Sequence, residues 1–237
     1  MDSNHGSELD VEQVLTDRSL RIAFQPILKL STREVIGYEA LSRFPGQEDA
    51  NPVHWFEQAA RLGFLQQFEL LAVNKALDQL VKLPEETFIS VNISPSTAAS
   101  KAFCELAVTV PPARLVLEIT EAAAVNSYHR FAGPIDRLRA LGARIALDDA
   151  GGSDVSLQHL LLLQPDIVKI DTTVIHGIAE DEVRQAVACA YVAMSEREGA
   201  LSLAEGIETE AEFDTLTSLG VEIGQGYLLG RPEFLAS

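Results

Sequence analysis

The most constraining feature of this sequence is a regular alternation between short segments rich in β-forming residues and longer segments with a helical pattern. Such an alternation is typical of repeated βα units that build a largely parallel sheet. About eight strands are predicted, the number that closes a barrel: residues 21–28, 35–41, 87–92, 114–119, 144–148, 167–171, 201–204 and a weak 222–224. The predicted fold is therefore an α/β barrel of the TIM type.

Helical patterns lie between most of these strands, over residues 53–62, 65–82, 130–141, 182–198 and 210–219. Only a short turn at residues 31–34 separates the first two strands, where a regular barrel has a helix. These two strands are therefore expected to form an antiparallel hairpin. No internal repeat, low-complexity stretch or linker divides the chain. We expect one domain over residues 19–237, preceded by a polar lead-in over residues 1–18.

The charge balance limits the partners of the protein. It has 35 acidic and 18 basic residues and a formal charge of −17, with no local gathering of bases, so DNA and anionic membranes are not expected partners. No apolar stretch approaches the ~18 residues of a membrane span. The N-terminus does not resemble a secretion signal, and we expect a soluble, cytoplasmic protein. Cys104 and Cys189 match no metal or redox spacing and are expected to be reduced and mostly buried.

Polar side chains stand at the ends of six predicted strands. Because the carboxyl ends of barrel strands converge on one face, these side chains are expected to share one pocket. Two carboxylates 4 Å apart repel by about 4 kcal/mol at an effective dielectric of 20, so one lysine cannot offset the acids. Mg²⁺ or Mn²⁺ prefers such oxygen donors, and a pair of ions would suit displacement at phosphorus. The residues are Glu39, Asn92, Glu118, Asp148, Asp149, Lys169, Asp171 and Glu205.

Each of these features alone has a plain structural interpretation. Lys169 and Asp171 could form an ion pair at a strand end, and Glu205 could cap the helix that follows it. Gly151 and Gly152 could form only a turn. Their joint occurrence at successive strand ends favours a functional site.

Eight ordered motifs resemble those of the EAL domain family, from about residue 20 to residue 232. The resemblance implies a barrel with an antiparallel first strand. It also implies hydrolysis of cyclic di-GMP to linear pGpG in bacterial second-messenger signalling. The motifs are Phe24-Gln25-Pro26-Ile27, Glu39-Ala40-Leu41 with Arg43, Val91-Asn92-Ile93-Ser94, Glu118-Ile119-Thr120-Glu121, Asp148-Asp149, Lys169-Ile170-Asp171, Ala204-Glu205-Gly206-Ile207-Glu208-Thr209 and Gln225-Gly226-Tyr227.

The same resemblance implies roles for individual residues. Two Mg²⁺ or Mn²⁺ ions are expected, one held by Glu39, Asn92, Glu118 and Asp148, the second by Asp148 and Asp149. Lys169 would hold the attacking water, Asp171 would orient Lys169, and Glu205 would act as general base or position the water. The substrate would be bound by Gln25, Arg43, Glu208 and Gln225, the last two close to the metals. A homodimer and a fused or associated sensory or GGDEF domain are also implied.

One segment departs from the family pattern. After the paired aspartates the family usually continues Phe-Gly-Thr-Gly-Tyr-Ser-Ser-Leu, whereas this chain has different residues at most positions from Ala150 to Leu157. In the family this loop is associated with the second metal and with dimer contacts, and Glu121, which braces it, is retained. Leu229 also replaces a common aromatic residue. Besides the phosphodiesterase, the sequence therefore leaves open a catalytically weak or inactive cyclic di-GMP receptor that acts through a protein partner.

Two further classes of protein, a purely structural barrel and an enolase-type enzyme, are disfavoured. A purely structural barrel would leave the acidic ring uncompensated, which costs stability. A metal-dependent barrel of the enolase type carries a sizeable capping domain. The 237 residues of this chain leave no room for one.

Overall fold

Eight strands close into a barrel in chain order. The structure is a computed structural model that describes residues 11–46, 52–120, 128–150 and 163–236. The predicted α/β barrel is confirmed, and each predicted strand is found within two residues of its expected bounds. The strands are β1 (Arg21–Lys29), β2 (Glu34–Arg43), β3 (Phe88–Asn92), β4 (Leu115–Thr120), β5 (Arg144–Ala150), β6 (Ile167–Ile170), β7 (Leu201–Ala204) and β8 (Ile223–Gly224).

The first strand runs against its two neighbours. β1 pairs antiparallel with β2 and with β8, whereas the other neighbouring strands pair in parallel. The predicted hairpin is therefore confirmed. In its register Gln25 lies opposite Glu39, and Arg21 lies opposite Arg43. The beginning of β1 thus belongs to the same face of the barrel as the carboxyl ends of the other strands.

Helices follow most strands, as βα units require. The predicted helices over 53–62 and 182–198 are present with these bounds, and the others differ at their ends. The first helix was not predicted, because it lies inside the segment expected to be a polar lead-in; Val11 and Val14 are its buried residues. The described helices are α1 (Val11–Asp17), α2 (Val53–Leu62), α3 (Leu65–Leu77), α4 (Pro95–Ala98), α5 (Lys101–Ala107), α6 (Tyr128–Ala140), α7 (Thr172–Ile175), α8 (Glu182–Glu198) and α9 (Glu210–Ser218).

The buried apolar residues form two clusters. The larger one joins the helices to the outer surface of the barrel. The smaller one fills the interior of the barrel and is called the barrel floor below. It consists of Ile27, Phe88, Val116, Ala146, Ile167, Leu203 and Ile223.

An aromatic stack fixes α2 and α3 against the end of β2. Phe44, just after β2, lies with its ring centroid 4.5 Å from that of Trp55 and 5.6 Å from that of Phe68. Both pairs are nearly parallel, a geometry that stabilises buried aromatic side chains beyond their apolar area. The two helices are therefore anchored close to the carboxyl face of the barrel.

Two expectations concern the surface. Cys104 is half-buried but Cys189 is exposed, so the expectation that both cysteines are mostly buried is wrong for Cys189. Cys189 lies on a helix face that points away from the barrel. Within the described ranges, no helix is both long and apolar enough to cross a membrane.

Gly37 on β2 completes the barrel floor, and its replacement tests how tightly the floor is packed. A Cβ atom at this position would lie 2.5 Å from the ring of Phe88. Overpacking of this kind costs about 1–3 kcal/mol. We therefore expect Gly37→Ala to lower the free energy of unfolding by that amount in urea denaturation. Gly133→Ala is the control, because a Cβ at this helical position meets nothing within 4 Å. Equal stability of Gly37→Ala and the unmodified protein would contradict the packing.

Candidate active site

A polar layer lies directly above the barrel floor. Side chains two residues apart on a strand point to the same side of the sheet, so the residue after next to each floor residue also faces the interior. On β3 to β8 the second residue after the floor residue, either within the strand or just beyond its end, is polar. On β2 the equivalent residue is Glu39, two residues after Gly37, and on the antiparallel β1 it is Gln25, two residues before Ile27. The layer consists of Gln25, Glu39, Ser90, Glu118, Asp148, Lys169, Glu205 and Gln225.

The ammonium group of Lys169 lies at the centre of this layer, and the side chain is only 2% exposed. Its Nζ lies 2.9 Å from Oε2 of Glu118 and 2.8 Å from Oδ1 of Asp148. It also lies 2.9 Å from Oε1 of Glu205 and 3.7 Å from Oε1 of Glu39. Four strands thus direct a carboxylate at one cation carried by a fifth strand.

Two amide side chains hold the carboxylate of Glu39. Asn92 donates from Nδ2 to Oε1 of Glu39 over 3.1 Å. Gln225 donates from Nε2 to Oε2 of Glu39 over 2.6 Å, and the same nitrogen lies 3.3 Å from Oε1 of Glu205. Both oxygens of Glu39 are therefore bonded, which fixes the orientation of this carboxylate.

The crowding of charges shifts the pKa values of the layer. Burial alone would lower the pKa of Lys169, but the surrounding carboxylates raise it well above its usual value. Burial also raises the pKa of Glu118 well above the usual range, and the charge of Glu39 adds to this. Burial raises the pKa of Glu205 to about 8, against the opposing effect of Lys169. For Glu39, burial is outweighed by Lys169 and the bond from Gln225, so its pKa is lowered.

The structure brings together seven of the residues singled out in the sequence: Glu39, Asn92, Glu118, Asp148, Lys169, Glu205 and Gln225. It does not bring Asp171 to Lys169. Strand β6 ends at Ile170, and Asp171 caps α7, where its Oδ1 accepts from the backbone N–H of Thr173 over 2.8 Å. Among the described residues, the ion-pair partners of Lys169 are the four carboxylates named above. The expected contact between Asp171 and Lys169 is therefore absent, because the alternation of the strand stops before Asp171.

The residues expected to bind substrate lie around this layer. Gln25 is buried and donates from Nε2 to the carbonyl of Gly230 over 3.1 Å. Arg43 is half-buried at the end of β2 and donates from Nη1 to the carbonyl of Ser42. Glu208 is exposed in the loop before α9, and its backbone N–H donates to Glu212. The structure thus leaves the side chain of Glu208 at the surface, outside the hydrogen bonds of the polar layer.

Three expectations fall on residues outside the description. The side chain of Asp149 is not described, and Glu121 and most of the altered loop, from residue 151 to 157, lie outside the described ranges. Their expected roles at the second metal and in bracing the loop stay predictions.

The donor set suits a hard divalent cation. The layer offers carboxylate and amide oxygens, the ligands that Mg²⁺ and Mn²⁺ prefer. Two buried acceptors, Oδ1 of Asp148 and Oε1 of Gln225, lack a hydrogen-bond donor, although the former contacts the ammonium of Lys169. Among the described residues, no three His, Cys, Asp or Glu side chains are already spaced as a metal cluster. The acids close around Lys169 instead.

Comparison with known proteins identifies the family. The model of the EAL domain family matches residues 8–232. The chain belongs to the EAL domain family. The expected resemblance is thereby confirmed over nearly the whole sequence.

Relatives of this EAL domain include proteins named for cyclic di-GMP turnover. The bifunctional diguanylate cyclase/cyclic di-GMP phosphodiesterase MucR of Pseudomonas aeruginosa is 31% identical over 235 residues, which are 94% of this chain and 34% of MucR. The solved PaMucR phosphodiesterase in complex with c-di-GMP is 30% identical, with a TM-score of 0.85. The match covers 95% of this chain and 96% of that one.

A second solved structure contains a metal. The Klebsiella pneumoniae BlrP1 manganese/cy-diGMP complex is 28% identical, with a TM-score of 0.82, and the match covers 91% of this chain and 56% of that one. The chain spans about one third of the length of the curated relatives that it matches, from 28% to 34% in three of them. Full-length relatives therefore contain further regions.

Removal of the central cation tests the charge balance of the site. Breaking a buried ion pair by removing one partner typically costs about 3–5 kcal/mol. We expect Lys169→Met to lose stability of this order in EDTA, measured by urea denaturation, and to recover much of it when Mn²⁺ is added. Lys101→Met is the control, because the side chain of Lys101 is 89% exposed and forms only a surface ion pair with Glu105. If Lys169→Met were as stable as the unmodified protein in EDTA, Lys169 would not be needed to compensate the charge of the surrounding carboxylates.

The pKa of Glu205 predicts an unusual dependence of stability on pH in EDTA. The folded protein retains a proton on this carboxyl up to about pH 8, whereas an ordinary carboxyl loses it near 4.5. Between these values the folded state binds more protons than the unfolded state, so a rise in pH favours unfolding. The stability of the unmodified protein relative to Glu205→Gln should therefore fall across this range. Urea denaturation at several pH values measures this difference in the free energy of unfolding. A difference that does not change with pH would contradict the raised pKa of Glu205.

Proposed function

We propose that this EAL domain is a phosphodiesterase that hydrolyses cyclic di-GMP to linear pGpG with two Mg²⁺ or Mn²⁺ ions. The observation that carries the proposal is the convergence of Glu39, Glu118, Asp148 and Glu205 on Lys169 at the carboxyl end of the barrel. The named activity of relatives and the ligands in their solved complexes support the same reaction.

The metal ligands in this proposal come from neighbouring strands. Glu39, Asn92, Glu118 and Asp148 hold one ion, and Asp148 with Asp149 holds the second. Such ions supply charge compensation for the phosphodiester and lower the pKa of water. Gln225 is not one of these ligands, but it orients one of them, because its amide nitrogen donates to Glu39. Its Oε1 has no hydrogen-bond donor.

The remaining residues act on water and substrate. Lys169 holds the attacking water through its ammonium, and Glu205, in contact with Lys169, accepts the proton of that water. The water oxygen forms a bond to phosphorus and the P–O3′ bond breaks, which leaves a 3′-hydroxyl after protonation and a 5′-phosphate. Arg43 offers a planar pair of donors to the phosphate, which the negative charge of the protein otherwise repels.

Other expected roles stay part of the proposal. Gln25 and Glu208 bind the substrate, and Asp171 acts on Lys169 only if the turn at the end of β6 rearranges. A homodimer, a cytoplasmic location and fused or associated sensory or GGDEF domains are proposed on the family resemblance. The length of the relatives agrees with additional domains.

A second candidate function follows from the altered loop after Asp149. A domain with this loop could bind cyclic di-GMP without cleaving it and act through a protein partner. Incubation with cyclic di-GMP and Mg²⁺ or Mn²⁺, with chromatographic separation of pGpG, distinguishes the two functions. Binding without any pGpG would favour the receptor and contradict the phosphodiesterase.

Substitution of Glu39 tests the site assignment. We expect Glu39→Gln to reduce pGpG formation by at least about 100-fold, because it removes a charge that the proposed cation requires. Mn²⁺ affinity, measured by isothermal titration calorimetry, should fall as well, while the circular dichroism spectrum is retained. Glu34→Gln is the matched control, since Glu34 is an exposed residue at the start of the same strand. Unchanged turnover in Glu39→Gln would remove the assignment.

A further inference from the structure

Glu69 is a buried acidic residue outside the polar layer. It lies on α3, is 7% exposed, and has the apolar residues Phe68, Leu71, Ala72 and Val73 as buried neighbours on the same helix. In the described part of the chain, no Lys, Arg or His lies within ion-pair distance of it. A carboxyl group in such surroundings costs stability, and an apolar side chain would pack the helix better. Packing of α3 therefore does not explain this residue.

Both oxygens of Glu69 are bonded to one residue of the turn that follows β3. Oε1 accepts from the backbone N–H of Ser94 over 3.0 Å, and Oε2 accepts from the Oγ–H of Ser94 over 2.7 Å. The Oγ of Ser94 also accepts from the backbone N–H of Thr97 and caps α4. Glu69 thus holds the backbone and the side chain of the turn at once.

This turn directly follows Asn92, the last residue of β3. Asn92 stands two residues before Ser94, and its amide donates to Glu39. On the other side, the backbone N–H of Ile93 donates to the carbonyl of Glu118 over 3.1 Å. Asn92 is the last residue of β3 and pairs with Glu118, and the chain directly after it is held by the bond of Ile93 to β4 and by the two bonds of Ser94 to α3.

A cavity borders the contact between Glu69 and Ser94. This cavity, of about 490 Å³, lies between α2, α3 and the strands β2 and β3, and Glu69, Asn92 and Ser94 all line it. The hydrogen bonds between Glu69 and Ser94 thus join α3 to the turn after β3 at the wall of this cavity.

We propose that Glu69 is a positioning residue of the metal site: through Ser94 it holds Asn92 where its side chain bonds Glu39 and reaches the cation. This inference rests on the proposed function, since it assigns Glu69 to the site that Asn92 and Glu39 form there. Glu69 itself touches neither cation nor substrate. No sequence motif indicated it, because a single acid in an apolar helical segment has no local signature.

A double-mutant cycle on Mn²⁺ affinity tests the proposal without relying on hydrolysis. Variants Glu69→Leu, Asn92→Ala and the double variant are titrated with Mn²⁺ alone by isothermal titration calorimetry. Loss of a residue that orients a metal ligand typically weakens metal binding 10- to 100-fold, and we expect about tenfold for Glu69→Leu. If Glu69 acts through Asn92, then Glu69→Leu should have no further effect once Asn92 is alanine.

Two milder variants keep the test valid if Glu69→Leu folds poorly. Glu69→Gln should retain most of the affinity, because its carbonyl accepts the backbone N–H of Ser94 and its amide donates to Oγ. Ser94→Ala removes one of the two bonds and should give a smaller loss than Glu69→Leu. Glu57→Leu is the matched control, since Glu57 lines the same cavity but is half-exposed on α2, and it should leave Mn²⁺ affinity unchanged.

The other outcomes overturn the proposal in distinguishable ways. Additive losses in the cycle would mean that Glu69 does not act through Asn92. Unchanged Mn²⁺ affinity with a lower melting temperature would make Glu69 purely structural. Unchanged affinity with a raised KM would make it a substrate-binding residue. If the unmodified protein binds no Mn²⁺, the proposed function fails together with this inference, whereas Mn²⁺ binding that Glu69→Leu leaves unaltered refutes this inference alone.

Discussion

The contact between the ammonium of Lys169 and four carboxylates determines the character of the upper half of the barrel. One positive charge cannot balance four negative charges in a buried layer, so the remaining charge must be met by protons or by added cations. Burial, together with the charges of neighbouring carboxylates, raises the pKa of Glu118 and of Glu205, so these two groups retain protons and the imbalance is reduced. Divalent cations would release those protons, because metal ligands bind in their deprotonated form. Charge balance therefore links the stability of the domain to the chemistry proposed for it.

Much of this architecture could be predicted from sequence because it depends on local patterns. Short β-rich runs separated by amphipathic segments determined the barrel, and the four-residue turn between β1 and β2 indicated the antiparallel pair. Acids such as Glu39 and Glu118 could be assigned to one pocket because parallel strands deliver their ends to one face. The structure adds the reason for their depth. Glu118 stands two residues beyond the floor residue Val116, and Glu39 two residues beyond the buried Gly37, so each enters the barrel above an apolar base.

The missed features depend on contacts that no local pattern encodes. Helix α1 is short and offers only Val11, Val14 and Leu15 as apolar residues, too few for a periodic signal. The family resemblance implies that Asp171 orients Lys169, whereas in the structure β6 ends at Ile170 and Asp171 caps α7. Glu69 acquires its meaning only from Ser94, which lies 25 residues away in sequence. The partners of α1 and of Glu69 lie on other elements, so only the folded chain reveals them.

The position of the polar layer also disfavours shifts in the register of the strands. If β4 slipped by one residue, Leu117 would point into the ring of acids and Glu118 would be driven between the barrel and its helices. Both exchanges would be unfavourable, since an apolar group would enter a charged centre and a charge would enter an apolar shell. The same holds for β5, with Leu147 beside Asp148, and for β6, with Val168 beside Lys169. The site therefore helps to specify the register of the strands, because its side chains converge only when the surrounding strands pair in the native register.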